Sequence, residues 1–167
     1  MNNDNSKKRP SWDQVYMNIL EQIVQRSTCL FVNAAAIIVD PNSHNIVGIW
    51  YSGSCRWDVH CADVGCAKII DWVEHKHADL CRGAHAELNA IVNCSVDTRG
   101  LTMYTLLSPC NNCAKHIVNA WIKKLVYNKT YLNKNYEYRI LDFMARLGVE
   151  VLEFKSDENS KNDTKRC

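Results

Sequence analysis

The chain lacks the features that would place its 167 residues outside the ordinary globular class. No window reaches the roughly 18 to 20 apolar residues of a membrane span. Lys7-Lys8-Arg9 stand near the start with no apolar stretch behind them, so they do not read as a secretory signal but as part of a solvated tail. Strong charge is missing too: the formal net charge of +2 is too small to imply a nucleic-acid partner by itself. There is no internal repeat, and the length suits one domain around a single core. That domain is expected over residues 10–155, with disordered tails at 1–9 and 156–167.

Cysteine, in contrast, is plentiful. Nine are present, an odd number in a chain with no export signal. This argues against a disulfide framework and for a reducing setting, the cytoplasm or, for a viral protein, the host cytoplasm. Several of these thiols are therefore expected to bind metal or lie buried.

Hydrophobic periodicity supplies the elements. Ser11 and Gln14 have capping-box spacing behind Pro10. Trp12, Val15, Tyr16, Ile19, Leu20 and Ile23 then repeat on one face of a 3.6-residue period. Strands are expected at 32–39 and 46–51, joined by the turn Asp40-Pro41-Asn42-Ser43. Residues 53–83 read as a long irregular segment holding most of the remaining Cys and His, and a loop of that length is usually functional. Beyond it helix and strand alternate: helix 84–94, strand 101–107, helix 110–122, strand 124–127, helix 136–147 closed by Gly148, strand 149–154. Such alternation implies an α/β fold with parallel strands in its C-terminal part.

Three short pieces carry chemistry: His85-Ala86-Glu87, Pro109-Cys110 and Cys113. Cys110 and Cys113 lie three apart at a helix start, on one face. Ala114, Ile117, Val118 and Trp121 continue that face, which turns the thiolates toward the core. Pro109 suits a first-turn position, and the positive end of the helix favours thiolates. With His85 they make an N/S/S set that leaves one tetrahedral position open, as in catalytic zinc sites. Water at that position loses a proton near neutral pH. Glu87, two residues past His85, is placed to move protons as general acid and base. A lone Cys-x-x-Cys is as readily a buried pair or a redox motif. Both motifs together, each at an expected helix start with a strand between, match the signature of zinc nucleobase deaminases.

On these motifs the chain resembles the deoxycytidylate (dCMP) deaminases, within the cytidine deaminase-like superfamily. The resembling stretches are Arg9-Pro10-Ser11-Trp12-Asp13, Arg26-Ser27-Thr28-Cys29, His85 through Ile91, and Met103-Tyr104 through Ser108-Pro109-Cys110-Asn111-Asn112-Cys113-Ala114-Lys115. Ile122 through Tyr127 continues the likeness. Asn89 and the Arg-Pro-Ser-Trp opening point to the dCMP branch. The resemblance implies a three-layer α/β/α sandwich with a five-stranded mixed sheet, zinc-dependent conversion of dCMP to dUMP for thymidylate synthesis, and a homo-oligomer, hexamer or dimer. It also implies regulation by dCTP and by dTTP with Mg2+.

Two segments depart from the family pattern. Ala34-Ala35-Ala36, preceded by Asn33, replaces the usual Val-Gly-Ala. Tyr51-Ser52-Gly53-Ser54-Cys55 replaces a Tyr-Asn-Gly-x-Pro whose Asn approaches the substrate sugar, so Ser52 is the candidate for a shorter hydrogen bond there. Asn89, Ser108 and Tyr131 are the other candidate substrate contacts. Arg56, Arg82 and Lys124 are candidates for a phosphate, each also readable as a surface charge, and Trp57 and Tyr131 could pack on base or sugar, each also readable as aromatic core packing. A structural zinc in some viral relatives suggests a second site on Cys29, Cys61, His75 and Cys81. The competing functions are a deaminase of another cytosine substrate (dCTP, a 5-substituted dCMP or a nucleoside) and a non-catalytic nucleotide-binding protein. An enzyme on polymeric RNA or DNA is disfavoured, because no basic cluster marks the folded region.

Overall fold

The computed structural model describes residues 9–70, 73–74, 80–131 and 134–156. Helix α1 (Trp12–Ile23) begins at the expected cap, where Ser11 Oγ accepts from the Gln14 amide at 3.2 Å. Strand β1 (Ala35–Val39) is shorter at its start than expected, while β2 (Ile46–Tyr51) matches its expected bounds. Where a single irregular segment was expected lie β3 (Gly53–Ser54), α2 (Cys61–Val64), β4 (Ile69–Ile70), β5 (Val73–Glu74) and β6 (Gly83–Ala84). Then follow α3 (Ala86–Val92), β7 (Thr102–Leu107), α4 (Asn111–Asn119), β8 (Lys124–Lys129), α5 (Lys134–Arg146) and β9 (Glu150–Glu153). Gly148, at φ 88°, supplies the left-handed residue that ends α5.

The central sheet has five strands in the order β2-β1-β7-β8-β9. β1 runs antiparallel to β2 and β7, and β7, β8 and β9 are parallel. Helices α4 and α5 are the crossovers that parallel neighbours require. The sheet is mixed and lies between helical layers, as expected.

Strand periodicity explains the two cores. In β1, Ala36 and Ile38 face one side, while Ala35, Ile37 and Val39 face the other. β7 and β8 split likewise, Met103 and Leu125 opposite Tyr104 and Val126. One face packs on Tyr16, Met17 and Leu20 of α1. The other packs on Ala86 and Ala90 of α3, Ala114 and Ile117 of α4, and Ile140 and Met144 of α5. Burial on both faces is why β1 reads as an unbroken apolar run.

One glycine sets how close the site helix comes. A Cβ on Gly48 of β2 would stand 2.9 Å from the Ala90 carbonyl oxygen of α3. Only glycine lets α3 lie that near the sheet. The terminal tails, apart from Arg9 and Ser156, fall outside the described residues.

Candidate active site

Helices α3 and α4 start at the same end of the sheet, and each is capped by a ligand-type residue. His85 is the N-cap of α3 and Cys110 the N-cap of α4, both in extended backbone conformation. α3 therefore begins two residues later than expected and α4 one residue later, and Pro109 precedes the cap instead of occupying the first turn. Cys110 Sγ accepts from the Cys113 amide at 3.5 Å, a capping bond that leaves the sulfur at the positive end of the helix. Cys113, one turn in, is 2% exposed, and Cys110 is half-buried. Ala114 and Ile117 continue the buried face, but Trp121 does not: it lies past the end of α4 with φ 58° and is 69% exposed. The 3.6 period stops at Asn119, so extrapolating it to Trp121 fails.

His85 Nδ1 lies 3.3 Å from Cys113 Sγ and 3.4 Å from Cys110 Sγ. A tetrahedral zinc with bonds of about 2.0 Å to nitrogen and 2.3 Å to sulfur sets N···S edges near 3.5 Å. The three donors thus fit zinc in type and in spacing. The hydrogen bond with the Cys113 thiol, together with the His85 ring, holds Cys110 at about 3 despite burial. Cys113 is pushed up, because it keeps the shared proton and is buried. The Cys110 hydrogen bond raises His85.

Glu87 projects from the first turn of α3 into the same pocket. Its residue is 7% exposed, and burial pushes its carboxyl above the ordinary range. The pocket is also lined by Cys29, Phe31, Val32, Ala34, Ser52, Gly53, Cys61, Cys66, Lys68, Cys81, Ser108 and Tyr131.

The other candidate residues divide. Ser108 and Tyr131 line the pocket and are joined by the Tyr131 amide donating to Ser108 Oγ at 2.9 Å. Ser52 lines it too, but its hydroxyl is committed to the protein. It donates to the Val32 carbonyl at 2.8 Å, accepts from the Ala34 amide at 3.0 Å and lies 2.8 Å from Ser27 Oγ. A hydroxyl has one proton and two lone pairs, so the Val32 and Ala34 bonds use the proton and one lone pair of Ser52, and Ser52 pins the segment leading into β1. Asn89 is absent from the lining. Its amide donates to the Tyr51 and Ala84 carbonyls at 3.3 and 3.5 Å, tying α3 to the ends of β2 and β6.

None of the expected phosphate cations lines the pocket. Arg56 donates to Asn93, Arg82 pairs with Asp58 at 3.5 Å, and Lys124 pairs with Glu150 across β8 and β9 at 3.6 Å. Trp57, with φ 71°, is 96% exposed and packs on neither core nor pocket. The lysine that does line the pocket, Lys68, carries no motif in the sequence; a segment of short turns and strands brings it there. Cys29, Cys61 and Cys81 share the pocket wall, and His75 lies outside the described residues. Among the described residues, His85, Cys110 and Cys113 form the ligand-type group of three within mutual reach.

Residues 10–129 match the cytidine and deoxycytidylate deaminase zinc-binding region. The chain belongs to that family. It is 34% identical over 154 residues to ComE operon protein 2 of Bacillus subtilis, covering 90% of this chain and 75% of the relative. To the deoxycytidylate deaminase of Saccharomyces cerevisiae it is 27% identical over 155 residues, covering 92% of this chain. The chain spans about half of that relative's length, 48%. Among solved structures, the dCMP deaminase from cyanophage S-TIM5 in complex with dCMP and dUMP superposes with a TM-score of 0.70 at 26% identity. That match covers 88% of this chain and 99% of the phage chain. No helix among the described residues is long and apolar enough to cross a membrane.

Proposed function

We propose that the protein is a zinc-dependent deaminase that converts dCMP and water to dUMP and ammonia. The observation that carries this reading is the His85, Cys110 and Cys113 cluster beside a pocket that His85, Cys110 and a buried Glu87 line, in a chain similar to enzymes named for dCMP. His85, Cys110 and Cys113 would hold the zinc. When bound there, zinc supplies Lewis acidity, so that water gives up a proton near neutral pH.

The remaining chemistry belongs to the chain. Glu87 takes the proton of the attacking water, passes it to the ring nitrogen of cytosine and assists the departing ammonia. A C–O bond forms at C4 and the C–N bond to the amino group breaks. Burial raises the Glu87 pKa toward the working pH, which suits a group that must both accept and return a proton. A carboxylate that is buried, unneeded as a ligand and set in the pocket also argues against a purely binding protein. Tyr131 and Ser108 bound the space left for base and sugar.

The test is ammonia release from a panel of dCMP, CMP, dCTP, deoxycytidine and 5-substituted dCMP. The reading expects dCMP to give the highest kcat/KM; an equal or greater value for deoxycytidine overturns it. Zinc analysis on the same protein expects one catalytic ion per chain. A second equivalent that survives Cys113→Ala would belong to Cys29, Cys61, His75 and Cys81. The family resemblance also brings a homo-oligomer and regulation by dCTP and by dTTP with Mg2+ into the reading. Sizing in solution, and rates with each nucleotide added, test them.

A further inference from the structure

The pocket is polarised in a way that the zinc motif does not require. Its buried end holds Glu87, 7% exposed. Its solvent end holds Phe31 and Tyr131, 47% and 40% exposed. Lys68 sits half-buried at that outer end, with Nζ 4.9 Å from the centre of the Phe31 ring. Among the described residues lining the pocket it is the one Lys or Arg, and no described carboxylate pairs with it. Its charge also reaches Tyr131, whose hydroxyl is pushed up chiefly by burial and pulled back in part by Lys68.

Resting on the reading of this site as one for a cytosine nucleotide, we propose that Lys68 binds the 5′-phosphate and sets the preference for nucleotide over nucleoside. A phosphate dianion cannot approach Glu87 without repulsion, so the nucleotide must enter base first and leave its phosphate at the outer end. There the lone ammonium meets it, partly desolvated, where charge-assisted hydrogen bonds are stronger than in open water. The Phe31 ring steadies the lysine from one side through its π face. The three N–H donors of an ammonium still leave some for a ligand. Arg56, Arg82 and Lys124 are engaged elsewhere, which leaves Lys68 as the available cation among the described residues.

The experiment measures kcat/KM for dCMP and for deoxycytidine with the wild-type protein, Lys68→Met and Lys68→Arg. Met keeps the apolar stem over Phe31 and removes only the charge. Lys68→Met is expected to lower kcat/KM for dCMP about tenfold or more, mostly through KM. Deoxycytidine turnover should stay unchanged, and Lys68→Arg should recover most of the loss. Inorganic phosphate should compete with dCMP on the wild type and much less on Lys68→Met. Equal falls for both substrates, or a dCMP preference that survives in Lys68→Met, overturn the role of Lys68. A wild-type protein that turns over deoxycytidine as well as dCMP shows instead that the substrate reading itself is wrong, and the role of Lys68 falls with it.

Discussion

Two walls of the same pocket are built in opposite ways. One is the end of α3 and α4, two helices packed on the sheet through Ala86, Ala90, Ala114 and Ile117, all nearly inaccessible. The other is the described part of residues 53–84, where strands of two residues and a four-residue helix carry Cys61, Cys66, Lys68 and Cys81 to the pocket. The helical wall holds the groups that need fixed geometry: a metal triad tolerates little error in distance. The loop wall holds groups that meet the variable part of a ligand, where loops commonly carry specificity. On the proposed reading, reaction type sits on the rigid wall and substrate choice on the other.

Substitutions on the two walls should separate these duties. The largest effect belongs to Cys113→Ala, which removes a buried donor from the triad. Zinc content should fall by one equivalent per chain relative to wild type and ammonia release should vanish, both measurable on the same preparation. A zinc content unchanged from wild type would break the assignment.

Glu87→Gln comes next. It keeps the shape and the zinc but abolishes proton transfer, so kcat should fall by about 10² to 10⁴ while metal analysis stays at the wild-type value. Activity within tenfold of wild type would move the proton chemistry elsewhere.

Gly48→Ala tests how firmly the rigid wall is seated. Its Cβ meets backbone, the Ala90 carbonyl, so α3 must shift, at about 1–3 kcal/mol of stability. Because α3 carries Glu87, kcat should fall along with the thermal midpoint. Ser52→Ala, on the other side, orphans the Val32 carbonyl and the Ala34 amide, costing about 1–3 kcal/mol. Thermal denaturation should record that loss while kcat/KM of the folded protein holds. A selective rise in KM for dCMP over deoxycytidine would return Ser52 to the substrate.

The smallest effects are expected from Arg56→Ala and Lys124→Ala. Exposed or partly exposed pairs of this kind contribute about 0–1 kcal/mol, and neither residue lines the pocket. A clear loss of dCMP affinity in either would contradict the place given to Lys68.

The His85, Cys110 and Cys113 cluster, the place of Glu87 beside it, the mixed sheet and most element positions were legible in the amino-acid sequence. The reason is local. Cys110 and Cys113 are three apart, His85 and Glu87 two apart, and each pair is fixed by a helix start whose geometry varies little. β1, β7 and β8 likewise show as short apolar runs, a signal that needs no tertiary information. What the sequence leaves open depends on partners far away in the chain. The Ser52 hydroxyl bonds to Val32 and Ala34 and lies beside Ser27. The Asn89 amide is held by the Tyr51 and Ala84 carbonyls. Lys68 had no signal at all, because its nearness to Phe31 is a fact of loop packing across 37 positions, with no periodicity to announce it. Short-range spacing therefore determined the chemistry of this protein, while the tertiary structure decided which polar groups remain free for a ligand. Hydrogen-bonding capacity is finite, and only the folded chain reveals how much of it the protein has already used.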